Sequence, residues 1–208
     1  MSHADFEVAA LDPLWLRVGL ATLLIIPLIT WLRNGSKFVP NLTAKAVLIT
    51  GCDSGFGHEL AKRLDSLGVA VFAGCLFPEG AGANELKSTC SKRLHILHLD
   101  VTREDHIQNA VKHVKNFLGN ETLWAVVNNA GIAKPGLMEW MDTKTTKKIF
   151  EVNAIGPLTV TNAFLPLLRI SSGRVVIVSS AAGRVSVPGM GAYCMTKHAA
   201  TAIADVLR

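Results

Sequence analysis

Five short apolar runs, at 45–50, 69–75, 94–99, 123–127 and 174–178, are rich in β-forming residues and lack the polar alternation of a half-solvated strand. Such runs are expected of strands covered on both faces. Between them apolar positions recur at helical spacing over 58–67, 83–90 and 104–118. A longer helical stretch follows at about 144–168, where Pro157 is expected to bend or locally adjust the ladder. Gly68 closes the first helix, and a final helix begins near Ala192. Alternation of this kind predicts an α/β fold with a doubly wound parallel sheet, right-handed crossovers and helices on both faces. No internal repeat or low-complexity segment interrupts it.

The N-terminus has a different composition. Residues 14–32 are nineteen in a row with one charge, Arg17, placed near an end where it can snorkel. As a helix the stretch is about 28 Å long, close to the hydrocarbon thickness of a bilayer. Trp15 and Trp31 sit at its ends, where interfacial aromatics belong. No positive segment precedes it and no small-residue cleavage site clearly follows, which favours a retained anchor over a cleaved signal peptide. The expected organisation is a tail at 1–13, a transmembrane anchor at 14–32, a linker at 33–44 and one α/β domain at 45–208. Asp5, Glu7 and Asp12 precede the span while Arg33, Lys37 and Lys45 follow it, so the positive-inside bias, weakened by Arg17, puts the domain in the cytosol. Two sequons, Asn41-Leu-Thr and Asn120-Glu-Thr, matter only if the domain is lumenal.

With 208 residues, half of them apolar, the chain can bury one sizeable core. Its net charge of +5 comes from singly scattered Lys and Arg with no aromatic-basic stripe, which argues against nucleic acid as a partner. Cys52, Cys75, Cys90 and Cys194 show neither metal spacing nor a disulfide framework. No metal is expected, and the cysteines read as small apolar residues of a reducing compartment.

In a sheet of this type ligands bind beyond the carboxyl ends of the strands, and the candidate chemistry falls there. After the first strand, Thr50-Gly-x-x-x-Gly-x-Gly supplies Gly51 for a tight turn, Gly55 for backbone approach to a pyrophosphate and Gly57 for close helix packing. The helix N-terminus behind this loop favours an anion. Asp100 ends the third strand, where a carboxylate can accept from an adenine amino group. Asn128-Asn-Ala-Gly131 ends the fourth, where a glycine-bearing turn keeps backbone close to a nicotinamide. Ordered along one edge, these residues line a dinucleotide in a Rossmann-like domain.

Ser179 and Ser180 end the fifth strand, fourteen and thirteen residues before Tyr193. A loop of that length can bring a hydroxyl to face the phenol across a substrate oxygen. Tyr193 and Lys197 are i and i+4 on the last helix and share a face. A free phenol loses its proton only near pH ~10, and an adjacent cation favours the phenolate. The stretch at 75–79 holds no Arg or Lys to meet a 2′-phosphate, and Asp53 in the glycine loop repels one, so NAD is favoured over NADP and oxidation over reduction. The acidic residue expected at the end of the second strand is not evident.

Thr50-Gly-x-x-x-Gly-x-Gly57, Asn128-Asn-Ala-Gly131, Asn153, Ser180 and Tyr193-x-x-x-Lys197 occur in an order and spacing that resemble the short-chain dehydrogenase/reductase family. The stretches Thr-Gly-Cys-Asp-Ser-Gly-Phe-Gly, Val-Phe-Ala-Gly-Cys-Leu and Leu-Trp-Ala-Val-Val-Asn-Asn-Ala-Gly are similar to its membrane-anchored hydroxysteroid and retinol dehydrogenase branch. The resemblance runs from about residue 45 to the last.

It implies that Tyr193 is the acid/base, that Lys197 lowers the phenol pKa and holds the nicotinamide ribose, that Ser180 bonds the substrate oxygen and that Asn153 positions a relay water. Ser180 is preferred to Ser179 because thirteen residues before the tyrosine is the family spacing. Cofactor contacts are implied for Gly51, Asp53, Ser54, Gly55, Phe56, Gly57, Asp100, Val101, Asn128, Ala130 and Gly131, together with Tyr193 and Lys197. The implied activity is hydride transfer between NAD and a lipophilic alcohol or ketone, with a 17β-hydroxysteroid favoured and retinol or 3-hydroxybutyrate as alternatives. The implied setting is a single-pass protein of the endoplasmic reticulum membrane, in contact with lipid and homodimeric at full length. A catalytically silent short isoform is a further alternative. Family members continue beyond the position of Arg208 through a sixth strand, a substrate-covering helix pair and a seventh strand, so a domain incomplete at its C-terminus is expected.

Overall fold

The computed structural model describes residues 13–33 and 39–207, and the chain divides into two units, Met1–Pro40 and Asn41–Arg208. In the first unit, α1 (Pro13–Arg33) is helical over the whole predicted apolar stretch. Its described side chains, Leu23, Leu24, Ile25, Ile26, Leu28 and Ile29 among them, are exposed, so apolar surface faces outward all round rather than along one stripe. Thr22 donates to the carbonyls of Val18 and Gly19 at 3.0 and 2.8 Å, and Thr30 to those of Ile26 and Pro27 at 2.9 and 2.8 Å. Both hydroxyls are returned to the helix backbone. Among the described residues, whose side chains in α1 are those of 18, 19 and 21–30, no helix is long and apolar enough to cross a membrane. Residues 1–12 of the expected tail, residues 34–38 of the expected linker and the interfacial side chains of Trp15 and Trp31 lie outside the described residues.

In the second unit, β1 (Lys45–Thr50), β2 (Ala70–Cys75), β3 (Leu94–His98), β4 (Thr122–Asn128) and β5 (Arg174–Ile177) form one parallel sheet in the order β3-β2-β1-β4-β5. Each strand matches its predicted run to within one residue at either end. Ala46 and Leu48 of β1 turn toward a core with Phe72, Ile107, Val126 and Phe164, while Val47 and Ile49 turn toward another with Ala61, Val71, Leu86 and Val127. β1, β2 and β4 are largely dry on both faces, which is why they read as unbroken apolar runs, whereas the edges are partly open, with every residue of β5 exposed or half-buried. α2 (Gly55–Ser66) and α3 (Ala81–Thr89) supply the second core, α4 (Glu104–Phe117) and α6 (Gly156–Ile170) the first. Phe164 is fully buried, and its truncation to Ala is expected to cost about 3–5 kcal/mol.

The chain runs outward from β1 to β2 and β3, then crosses back to lay β4 on the other side of β1. Connections leaving the tips of β1 and β4 on opposite faces open a crevice between them, the usual ligand position in such a sheet.

The long helix expected over 144–168 has a local change of ladder. α5 (Thr143–Phe150) joins α6 through a π turn, Glu151–Ile155, in which the Gly156 N–H bonds the Glu151 carbonyl five residues back. Pro157 supplies the physical reason. It has no N–H, so the Asn153 carbonyl finds no α-type donor four residues on, and the backbone takes up the defect by widening.

The last helix, α7 (Gly191–Val206), begins one residue before the expected position. Along β5 a groove of about 570 Å³ is lined by Leu165, Leu168, Val175, Ile177, Ala204 and Leu207, with Arg169 and Arg174. None of the site residues expected from the sequence lines it, and it is not the candidate site.

Candidate active site

Thr50 ends β1 in the interior, and its hydroxyl accepts the backbone N–H groups of Asn129 and Ala130 at 3.1 and 3.0 Å. The Asn129 amide donates in return to the carbonyls of Thr50 and Gly51 at 2.9 and 3.0 Å. The glycine loop and the tip of β4 are thereby tied together. Gly51 (φ +71°) requires glycine for its left-handed backbone and because a Cβ would lie 2.8 Å from the Ala130 Cα. At Gly57 a Cβ would fall on the Asn129 amide and the Gly51 carbonyl.

Between these loops lies a cleft of about 370 Å³. Of the residues expected to hold a cofactor, Gly51, Asp53, Ser54, Asp100, Val101, Ala130 and Gly131 line it. Gly55, Phe56 and Gly57 form the first turn of α2, with the Phe56 side chain 85% exposed. Asn128 departs from expectation. It is buried, its amide donates to the Thr161 hydroxyl of α6 at 2.9 Å, and its Oδ1 has no partner. Successive residues of a strand face opposite sides, so the asparagine that reaches the glycine loop is the next one, Asn129.

Asn129, Leu76, Leu99, Ile132, Lys148 and Val152 complete the lining and are not singled out by the sequence. Asn129 has a signal in the doubled asparagine of its motif. Lys148 and Val152 are merely i and i+4 on a helix, and the apolar residues look like core.

Two carboxylates face this cleft. Asp53 Oδ2 accepts the Leu76 N–H at 2.9 Å and Oδ1 the Phe77 N–H at 2.8 Å. A loop residue thus sets its charge on the exit of β2, the place where that strand lacks an acid of its own. Asp100 Oδ1 accepts the N–H and hydroxyl of Thr102 at 2.9 and 2.7 Å. Burial works to raise the Asp100 carboxyl, but the Thr102 bonds and the nearby Lys148 and His106 outweigh it and hold it below the usual carboxylate range.

Tyr193 lies half-buried in the first turn of α7. Lys197, one turn on, is buried, with its ammonium 5.6 Å from the phenol ring centre and donating to the Val178 carbonyl at 2.8 Å. Burial holds this lysine below its ordinary range.

The two serines separate by their partners. Ser179 Oγ donates to the Lys197 carbonyl at 3.3 Å and lies 3.0 Å from the Thr201 hydroxyl, so it packs the tip of β5 onto α7. Ser180 caps the short 3₁₀ turn Ala181–Gly183 by accepting the Ala182 N–H at 3.1 Å, which leaves its own proton to donate elsewhere.

Asn153 is buried in the π turn. Its amide donates to the Ile132 carbonyl at 2.8 Å and the Thr196 hydroxyl at 3.1 Å, and its Oδ1 accepts the Ile132 N–H at 2.8 Å. The side chain is a brace between elements. Gly131 joins this group to the cleft, since a Cβ there would lie 3.5 Å from Asn153 Oδ1 and 3.7 Å from Lys197 Nζ. Past Tyr193, the Gly136 N–H bonds the Gly189 carbonyl at 2.8 Å and joins two loops that expose Leu137, Met138, Trp140, Val185 and Val187.

These residues fit a dinucleotide. The glycine cradle admits no added Cβ at Gly51 or Gly57, a helix N-terminus stands behind it, an ionised Asp100 lines the cleft, and the Lys197 ammonium lies close to Gly131 of its wall. Among the described residues no group of three or more His, Cys, Asp or Glu could hold a metal ion.

Residues 45–208 match the family described as short chain dehydrogenase. The chain is 45% identical over 182 residues to estradiol 17-beta-dehydrogenase 2 of Mus musculus, covering 87% of this chain and 48% of that protein. To retinol dehydrogenase 16 of Mus musculus it is 47% identical over 173 residues, covering 83% and 54%. To the mitochondrial D-beta-hydroxybutyrate dehydrogenase of Rattus norvegicus it is 45% identical over 170 residues, covering 80% and 50%. A crystal structure of a short-chain dehydrogenase from Streptomyces avermitilis gives a TM-score of 0.73 at 31% identity, covering 78% of this chain and 59% of that one. The chain spans about half the length of the curated relatives it matches. With the family match running from the first residue of β1 across the whole sheet, the chain belongs to the short-chain dehydrogenase family.

Proposed function

We propose that this chain carries the cofactor site and the acid/base group of an NAD-dependent oxidoreductase acting on lipophilic secondary alcohols, a 17β-hydroxysteroid foremost. The observation that carries the reading is the meeting of Lys197 Nζ and Asn153 Oδ1 over Gly131, with the Tyr193 ring 5.6 Å from the ammonium.

Tyr193 takes the hydroxyl proton of the alcohol as general base. Lys197 favours the phenolate by Coulomb attraction and reaches the ribose next to the nicotinamide. Ser180, its oxygen already capped, donates to the substrate oxygen and orients the carbinol. Asn153 acts through its backbone carbonyl, which has no α-type donor at Pro157 and can hold a relay water. The glycine loop and the N-terminus of α2 hold the pyrophosphate, and Asp100 accepts from the adenine amino group. NAD, when bound, supplies the hydride acceptor.

The preference for NAD rests on Asp53. Its carboxylate on the exit of β2 can accept ribose hydroxyls and repels a 2′-phosphate. Lys87, the first cation after β2, is engaged with Glu79 and the Pro78 carbonyl, each at 3.0 Å. The apolar rim of Leu137, Met138, Trp140, Val185 and Val187 suits a steroid or a retinoid better than a short hydroxy acid. Retinol oxidation is the second reading, supported by the 47% identity to a retinol dehydrogenase.

An apolar-all-round α1 with self-bonded threonines supports a single-pass anchor in lipid, at the endoplasmic reticulum, with the domain on the cytosolic side. A glycosidase-sensitive mass shift would reverse that orientation. A homodimer at full length is part of the same proposal.

Tyr193→Phe tests the chemistry. Turnover of a panel of steroid, retinoid and hydroxy-acid substrates is expected to fall by on the order of a thousandfold, with NAD binding by fluorescence quenching within about twofold of wild type. Retained turnover overturns the assignment.

A further inference from the structure

Thr196 stands between Tyr193 and Lys197 and is fully buried. Its hydroxyl donates to the Tyr193 carbonyl at 2.7 Å and accepts from Asn153 Nδ2 at 3.1 Å. Asn153 in turn holds both the N–H and the carbonyl of Ile132 at 2.8 Å, and Ile132 lines the cofactor cleft. One run of hydrogen bonds therefore crosses from the cleft wall through the π turn to the helix bearing the acid/base pair. Among the described residues it is the one side-chain hydrogen bond joining α7 to the π turn.

We infer that Thr196 is a positioning residue that sets the phenol and ammonium of α7 against the cofactor wall. The inference rests on Tyr193 being the general base. A methyl group in place of the hydroxyl fills the same volume, but it strips Asn153 Nδ2 of a partner in dry surroundings, and the brace relaxes at the end nearest the chemistry. Misplacement of an acid/base group by less than an ångström lowers turnover without weakening a cofactor held mainly at its other end.

The test compares wild type, Thr196→Val and Thr196→Ser in the full chain, well below their melting temperatures. Thr196→Val is expected to lose kcat by on the order of ten- to a hundredfold, with NAD affinity within about twofold, while Thr196→Ser, which keeps the hydroxyl, recovers most of it. Equal kcat in Thr196→Val and wild type overturns the inference, as does a serine variant as impaired as the valine one. A second readout works without turnover, because Tyr193 is the only tyrosine in the chain and its ionisation can be followed by ultraviolet difference absorbance. A titration midpoint displaced by about half a pH unit or more in Thr196→Val and restored in Thr196→Ser supports the inference. Coincident curves overturn it. Absence of both NAD binding and turnover in wild type would sink the functional proposal instead, and the tyrosine titration would still decide the role of Thr196.

Discussion

The Lys197 ammonium donates to the Val178 carbonyl at 2.8 Å, so the charge beside the phenol is held by the tip of β5 and does not drift on its flexible stem. Burial opposes that charge and lowers its pKa. Function and stability therefore pull in opposite directions at this residue.

Lys197→Met keeps the length and removes the charge. kcat is expected to fall about a hundredfold or more, while stability at neutral pH holds or rises, because a buried ammonium costs more than a thioether. The pH dependence has a definite sign. A lysine whose folded pKa lies below its unfolded value of about 10.4 contributes stability that is complete above that value and is lost as the pH falls through the lowered one. Wild type should gain on Lys197→Met as the pH is raised from about 7 to about 10.5. Denaturant titrations across that range check it, and a constant difference between the two proteins would remove the buried-charge account.

Ser180 and Ser179 should behave oppositely when changed to Ala. Ser180→Ala is expected to lose kcat by on the order of a hundredfold with NAD affinity intact. Ser179→Ala forfeits its bonds to Thr201 and the Lys197 carbonyl, which costs about 1 kcal/mol of stability and leaves kcat nearly unchanged. Steady-state kinetics beside thermal melts separate them, and indistinguishable variants would refute the assignment of roles.

Asp53→Asn removes the charge on the exit of β2. One of the Leu76 and Phe77 N–H groups loses its acceptor, so NAD binding weakens somewhat, but the ratio of kcat/KM for NADP to that for NAD should rise by on the order of tenfold. A ratio unmoved by the substitution would show that the preference lies elsewhere.

The central strands are legible in the sequence because both their faces are dry, and the short apolar runs that result are rich in β-formers and bounded by glycine and polar turns. The strand-tip motifs follow from the same fact, since topology brings every tip to one edge. Side-chain direction at those tips is not legible. Asn128 and Asn129 are equivalent as letters, and only the pleat sends one to Thr161 and the other to the glycine loop. The reach of Asp53 to Leu76 crosses 23 positions of chain, a distance over which no spacing rule operates. Thr196 reads as helix filler between two motif residues, because a buried hydroxyl announces itself only through its partners.

The widened turn at 151–155 has the geometry of a helix that has gained one amino acid. Excising a residue there, Ala154 for instance, would rotate everything upstream in that helix by about 100°. Lys148 would leave the cleft wall, and the bracing amide of Asn153 would no longer face Ile132. The alignment of the carrier pocket with the proton-handling wall therefore depends on how many residues this turn holds, so a single deletion there would uncouple the two without touching either.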